Sequence, residues 1–447
     1  MEKKLHAEII SYNMGGEAVC ASAARISTTP GNALEIFTAA KDNPQNRTLI
    51  GKVLKSGHKS VVEHAVFTLA MRDVSVFVEQ FFIECRLASF TVKSRRYVDF
   101  SGLGCHVPPE LEGERLTRYQ AYMDMLFSAY QDLLLGGVPK EDARFLLPYS
   151  FHSNFYCTVN ARELGQIIRE IRCGRGRGIP ELQCLADEIT GQLETLFPAL
   201  LPELERPETA PAVAFCCQVE SQPVFLSQEE AGAVALLGGP ADPMALLEAA
   251  CHAAGFPPDK PLDWDSLIHS SRPRELEQLA YTFRISNLTL SGITHLVRHR
   301  MQSVIVPSLA SVNHSRVIVP DTVAAQPALL ERYQKAVREA NRVVCEIAAD
   351  PILCRYHYYF ALSGNLMDVM TTMNAREIKL FTRLRTCSRA QWEIRAAAIA
   401  LLRQLRQSFP ELFGRFGPSC FLTGRCPEGQ LSCGRAEEMT ALFQNLS

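Results

Sequence analysis

The sequence predicts an α/β (α+β) chain of two tandem domains, each a sheet flanked by long helices. Three observations lead there. The chain has 447 residues, too long for one ordinary core and enough for two domains of about 200 residues each. A strand, a glycine turn and a helix open the chain, and the same plan opens again after residue 230. Matching residues also recur at a constant interval: Glu63 with Glu277, Arg86 with Arg300, Ser89 with Ser303, Ser94 with Ser308 and Glu163 with Glu377, each pair 214 residues apart. An interval held across about 100 residues marks a tandem duplication. Each copy is large enough to bury a core of its own, which separates this plan from a solenoid.

Taken in order, residues 6–12 (HAEIISY) read as a strand, Gly15–Gly16 as a turn, and EAVCASAARIS as an amphipathic helix. Leu49–Ser56 is helical, and GHKSVVEHAVFTLAM breaks at its glycine before an apolar strand. Residues 114–136 and 180–196 have helical periodicity. Asn160 suits a helix N-cap, with Glu163 three residues on as in a capping box. Residues 203–230 shift to Pro, Glu and Ser and read as a linker. AVALLGGPADPMALLEAACHAA (233–254) then repeats the opening, 329–348 is again helical, and the NARE tetrapeptide returns at 374–377. The expected boundaries are 1–204, a linker over 205–230, 231–414, and a cysteine-containing tail over 415–447.

Composition narrows the function. Apolar content of 47% and charge of 21% fit a soluble globular protein. The net charge of −2 supplies no field for nucleic acid or an acidic membrane. The N-terminus turns polar within a few residues and no apolar run spans a bilayer, so a cytoplasmic location is expected. Of fifteen cysteines, Cys20, Cys157, Cys184 and Cys345 lie inside apolar segments, as reduced, core-filling thiols do. Cys420, Cys426 and Cys433 lie among Gly and Pro; they are weak candidates for a metal, because their spacing matches no common finger. The Gly174–Gly178 loop (GRGRG) has no following Lys–Ser/Thr and is no nucleotide P-loop.

The organising stretch is 289–312, which sets Arg298, His299 and Arg300 between flanks that read as buried, Leu296–Val297 and Val304–Ile305–Val306. Charges there need a partner, since a desolvated charge is expensive. A phosphate or pyrophosphate suits arginine forks. Arg162 and Arg376 each sit one turn inside a helix start, where the helix dipole gives a cation nothing, and this too favours an anion. His58 and His64 flank a Val-rich segment, where a histidine is ordinarily a core residue.

These residues resemble the flavin-dependent thymidylate synthases. The second copy carries Arg298-His299-Arg300 with Ser303 and Ser308; the first carries SFTVKSRRYV, with Ser89, Ser94, Arg96 and Tyr97. GHKSVVEHAVFT and the block 374–412 match the family's upstream segment and its C-terminal helices. The resemblance implies two thymidylate-synthase-complementing-type domains and the reductive methylation of dUMP to dTMP with methylenetetrahydrofolate, FAD carrying hydride from NADPH. It implies flavin contacts for Arg298, His299, Arg300, His58, Ser60, Glu63 and Glu393. It implies dUMP contacts for Ser94, Arg96, Ser303, Ser308, Arg376 and Arg403, the last polarising the uracil as the catalytic residue. It also implies a homodimer that forms a pseudo-tetramer, with no nucleic-acid or membrane partner.

The copies depart from the pattern in complementary places. The first reads Glu84-Cys85-Arg86 for Arg-His-Arg, and the second has Ala310 where the first has Arg96. The signature's glutamate is Val92 in one copy and Val306 in the other. A composite site, each half supplying what the other lacks, is the expectation. The rival readings are a flavoprotein acting on another nucleotide and a catalytically inactive binding or scaffolding homologue.

Overall fold

A computed structural model describes residues 6–204 and 217–446. The first half contains β1 (Ala7–Tyr12), α1 (Gly16–Arg25), α2 (Ala33–Ala40), α3 (Asn46–Lys55), β2 (Val66–Ser75), α4 (Val76–Ile83), β3 (Ser89–Val92), α5 (Gly113–Leu135), β4 (His152–Asn160), α6 (Ala161–Arg172) and α7 (Pro180–Leu196). Its strands form an antiparallel sheet in the order β1-β2-β4-β3. The second half follows a similar succession: β5 (Val224–Ser227), β6 (Ala233–Gly238), α8 (Pro243–Ala253), α9 (Trp264–His269), β7 (Ala280–Thr289), α10 (Leu290–Leu296), β8 (Ser303–Ile305), β9 (Asn313–Val319), α11 (Pro327–Ala348), β10 (Asn365–Asn374), α12 (Ala375–Arg385) and α13 (Trp392–Ser408). It has two added strands, β5 and β9, and one helix fewer before β7. Its sheet runs β5-β9-β10-β7-β6, with β8 also on β10. The fold class is the mixed α/β one expected.

Local interactions recur with the elements. The hydroxyls of Thr68 and Thr158 meet at 3.1 Å, and those of Thr282 and Thr372, each 214 residues on, at 2.9 Å. Ser75 caps α4 and donates from its N–H and hydroxyl to Glu181 at 2.7 and 2.6 Å; Thr289 caps α10 and donates in the same way to Glu393, at 2.6 Å for both. Asp73 and Asn287 take the left-handed backbone at φ 49° and 54°, which Asp and Asn tolerate better than other non-glycine residues. Both stand at strand irregularities on the approach to those caps.

The halves share one continuous core. The long helices α5 and α11 lie against each other. Tyr122 donates to the Phe360 carbonyl at 2.7 Å, and the Tyr149 N–H to that of Ala361 at 2.7 Å. Among the described residues, no helix is long and apolar enough to cross a membrane.

Several expectations are corrected. The linker reading holds 205–216, which fall outside the described residues, but 217–230 include β5, paired in parallel with β9. The tail is not a run of turns alone: it carries α14 (Ser419–Thr423) and α15 (Ala436–Gln444). It is tied down by Arg406, whose buried guanidinium donates to the carbonyls of Phe413, Gly414, Phe416, Phe443 and Leu446. Asn160 caps α6 through the Glu163 N–H at 2.9 Å, without the reciprocal bond of a capping box. Ile305 is 67% exposed because β8 lies at a sheet edge, and His64 is exposed rather than core. Cys20 and Cys157 are buried, whereas Cys184 is exposed and Cys345 half-buried.

Candidate functional site

A cavity of about 300 Å³ opens between the two halves. Arg96 and Tyr97 of the first half form one wall; the end of α12 and the loop after it form another, with Arg383, Arg385 and Arg389. The tail closes the third side with Cys420, Cys426, Cys433 and Met439. Arg96 holds the arrangement across the halves, donating from Nε to Glu141 at 2.5 Å and from Nη2 to the Arg389 carbonyl at 3.1 Å.

Arg96 and Arg385 connect this cavity to a buried cationic cluster. Arg95 is 4% exposed and donates from Nη2 to Glu79 at 2.7 Å; Glu79 is fully buried. Arg144 is 2% exposed and donates from Nε to the Glu141 carbonyl at 3.0 Å. Burial, then the charges of Arg95 and Arg96, bring the Arg144 guanidinium down to about 9. Burial, then Arg298 and Arg96, bring Arg385 down to about 10. His295 is held well below its ordinary range by burial and by Arg144, Arg298, Arg385 and Arg95. Three nitrogens in this cluster, Arg95 Nη1, Arg144 Nη2 and His295 Nε2, are buried without a hydrogen-bond partner. Unpaired buried donors cost about 1–3 kcal/mol each and more when charged. Repelling cations with open valences need an anion, and a phosphate supplies the oxygens.

The residues singled out in the sequence divide unevenly over this geometry. Arg298 and Arg300 are exposed, and Arg300 donates across the halves to the Ala88 carbonyl at 3.1 Å and the Ser89 hydroxyl at 3.2 Å. His299 turns inward, 5% exposed. Arg385 Nε donates to its Nε2 at 2.9 Å, which leaves Nδ1 as the proton-bearing nitrogen facing Glu377 at 2.9 Å. Burial lowers its pKa, and its two nitrogens face Arg385 and Glu377 rather than either cavity. Glu393 is fully buried, with both carboxylate oxygens accepting from Thr289; it braces α10, and burial raises it to about 7.

Arg376 pairs with Glu277, and Arg162 pairs with Glu63 at 2.6 Å in the same way. The reason for an arginine at these helix starts is therefore a recurring ion pair. His58 and Ser60 are exposed near Glu63 in the first half, outside both this cavity and the larger one beside it. Ser94 accepts from the Arg96 N–H at 3.3 Å and so shapes the loop presenting it. Ser308 does the same for Ala310 at 3.2 Å, and Ser303 lies exposed on β8. Arg403 is exposed on α13 and lines neither cavity.

The larger cavity, about 530 Å³, adjoins the first through Arg383, which lines both. Arg376, Lys379 and Arg383 line it from one face of α12, with Met301, Leu380 and Leu422 as apolar wall and Ser270 and Ser271 at its rim. Cations beside an apolar surface fit a flavin dinucleotide, whose pyrophosphate takes the charges and whose ring takes the wall.

Among the described residues, the three tail cysteines form no metal-binding group. The sequence reading missed Arg95, Arg144, His295, Lys379, Arg383, Arg385 and Arg389. Arg95 stood beside Arg96 in the quoted signature, and Arg385 lay within the matching block 374–412; Arg144 gave no local signal at all.

The family profile of thymidylate synthase complementing proteins matches residues 8–199 and 264–411. The flavin-dependent thymidylate synthase of Geobacter sulfurreducens is 32% identical over 187 residues, 41% of this chain and 80% of the relative. That of Nitratidesulfovibrio vulgaris is 30% identical over 233 residues, 45% of this chain and 94% of the relative. A crystal structure of the UMP/dUMP methylase PolB from Streptomyces cacaoi, bound with 5-Br dUMP, aligns with a TM-score of 0.37 and 24% identity over 44% of this chain and 93% of that one.

Proposed function

The chain belongs to the thymidylate synthase complementing protein family, and on that premise we propose that it methylates a uridine nucleotide at one composite site built by both halves. The reaction is the reductive conversion of dUMP to dTMP with methylenetetrahydrofolate and NADPH. The observation that carries this reading is the cluster of guanidiniums with unpartnered buried nitrogens beside the inter-half cavity. Arg96, Arg385 and Arg389 hold the nucleotide phosphate, and Arg95 and Arg144 stand behind them as fixed positive charge. His299 keeps the Arg385 fork in one orientation through its Nε2. FAD bound in the adjoining cavity supplies hydride chemistry. The tail excludes water by closing the third wall. The two halves are copies of one ancestral domain fused in tandem.

One observation favours a second reading, in which the nucleotide binds without turnover. Val92 and Val306 stand on the two signature segments where the family pattern has an acid, so neither half offers that carboxylate.

Calorimetric titration of the flavin-loaded protein with dUMP tests the site. One equivalent per chain is expected, with binding weakened about 10- to 100-fold in Arg96→Ala; binding unchanged in that variant sinks the assignment. Formation of dTMP by the same preparation decides between the two readings.

A further inference from the structure

Away from the composite site, three segments converge on a second constellation. Cys217 follows directly on the undescribed stretch, His314 lies on β9, and His357 lies in the turn 353–360 that precedes β10. One ligand atom from each falls within 4.8 Å of the other two. We propose that Cys217, His314 and His357 bind a divalent metal ion of the Zn²⁺ class, fastening the exit of the inter-half segment to the second sheet.

The donor set is what such an ion takes: one thiolate and two imidazoles. His314 and His357 are 4% and 0% exposed. His314 Nε2 faces His357 Nδ1 at 3.1 Å. Two nitrogens on one tetrahedral Zn²⁺, each bonded at about 2.0–2.1 Å, stand roughly 3.3 Å apart, so the rings already have nearly the separation of ligands to a common ion. Without an ion the contact is a single shared N–H. The outer nitrogens, His314 Nδ1 and His357 Nε2, have no partner, so a bare imidazole pair gains little for its burial. An ion between the inner nitrogens accepts both lone pairs and supplies the binding free energy that the bare pair lacks.

The backbone presents Cys217 for this purpose. His314 donates its N–H to the Gln218 carbonyl at 2.9 Å, and Gln218 bridges to Asn313. Two residues further, Glu220 is held at both ends: its N–H donates to Ser315 Oγ at 2.7 Å, and its carbonyl accepts from Asn341 Nδ2 at 2.9 Å. Among the described residues no fourth Cys, His, Asp or Glu joins the group. The remaining coordination position is filled by water or a small anion.

The test is titration of the metal-stripped full chain with Co²⁺, read by the thiolate-to-cobalt charge-transfer absorption. The expected result is one equivalent per chain, displacement by Zn²⁺ with loss of the band, and a higher unfolding temperature once loaded. Cys217→Ser retains size and polarity and is expected to bind at least tenfold more weakly without the band; His357→Gln is expected to weaken binding to a similar degree. No band from the unmodified chain overturns the proposal, and that result needs no variant to fold. A band of unchanged intensity in Cys217→Ser also overturns it, since the thiolate then lies elsewhere.

Discussion

The molecule holds two places related by its 214-residue repeat, and their chemistry is opposite. In one, Arg95, Arg96 and Arg144 of the first half meet His295 and Arg298 of the second. In the other, the corresponding positions are Leu309, Ala310, Tyr358, Phe81 and Glu84. The first reaches a cavity of about 300 Å³ through Arg96, and the five residues of the second line one of about 40 Å³. Glu84 at the second place pairs with Arg175 at 2.6 Å, and Arg175 also lies 5.2 Å over the Phe81 ring. With guanidiniums absent and a carboxylate present, the second place is a packed contact rather than a cationic one, on the same plan of elements. One place thus kept cations at the expense of unpaired nitrogens, and the other became core.

The strongest way to break this contrast is to write the second place's residue into the first. Arg95→Leu copies Leu309 but strands Glu79, which has no exposure to water. A stability loss of about 3–5 kcal/mol is expected by denaturant titration, since breaking a buried pair leaves an uncompensated charge. An unchanged midpoint would mean that the Arg95–Glu79 pair contributes nothing to stability. Arg96→Ala, the copy of Ala310, leaves the fold nearly as stable and weakens dUMP by about 10- to 100-fold, the worth of a charge-assisted bond of about 1.5–3 kcal/mol. Arg175→Ala at the second place leaves dUMP affinity unchanged in the same titration.

The contrast also has a pH signature. His295 has a depressed folded pKa, so its share of the stability is full above the ordinary histidine value of about 6.5 and falls as pH drops below it. The unfolded chain takes up a proton that the buried imidazole refuses, at up to about 1.4 kcal/mol per pH unit. His295→Phe, the copy of Phe81, is expected to flatten that decline between pH 6.5 and 5; equal slopes would show that His295 titrates normally. The smallest effect is expected at the second place, where Glu84→Gln breaks a pair whose arginine is half-exposed. Thermal unfolding should register about 1 kcal/mol or less.

Legibility in the sequence followed the range of the interactions. The strands and helices, the Asn160 cap and the 214-residue interval were readable because each rests on side chains a few residues apart or on recurrence itself. Arg96 was readable from its signature. The exposed position of Arg403 was not legible, because helical spacing does not say which face a neighbouring sheet covers. The partners of His299 were not legible either, because Glu377 and Arg385, far along the chain, claim its two nitrogens.

The sequence by itself determined the mixed α/β class and the 214-residue recurrence, with the signature residues unevenly kept in the two halves. Only the tertiary structure decided that residues 94–97 meet 383–390 across the halves, that Arg144 and His295 belong with them, and that the partner place is closed. Packing of distant segments sets those meetings, and desolvation, which depends on everything around a group, decides which charges stay open to a ligand.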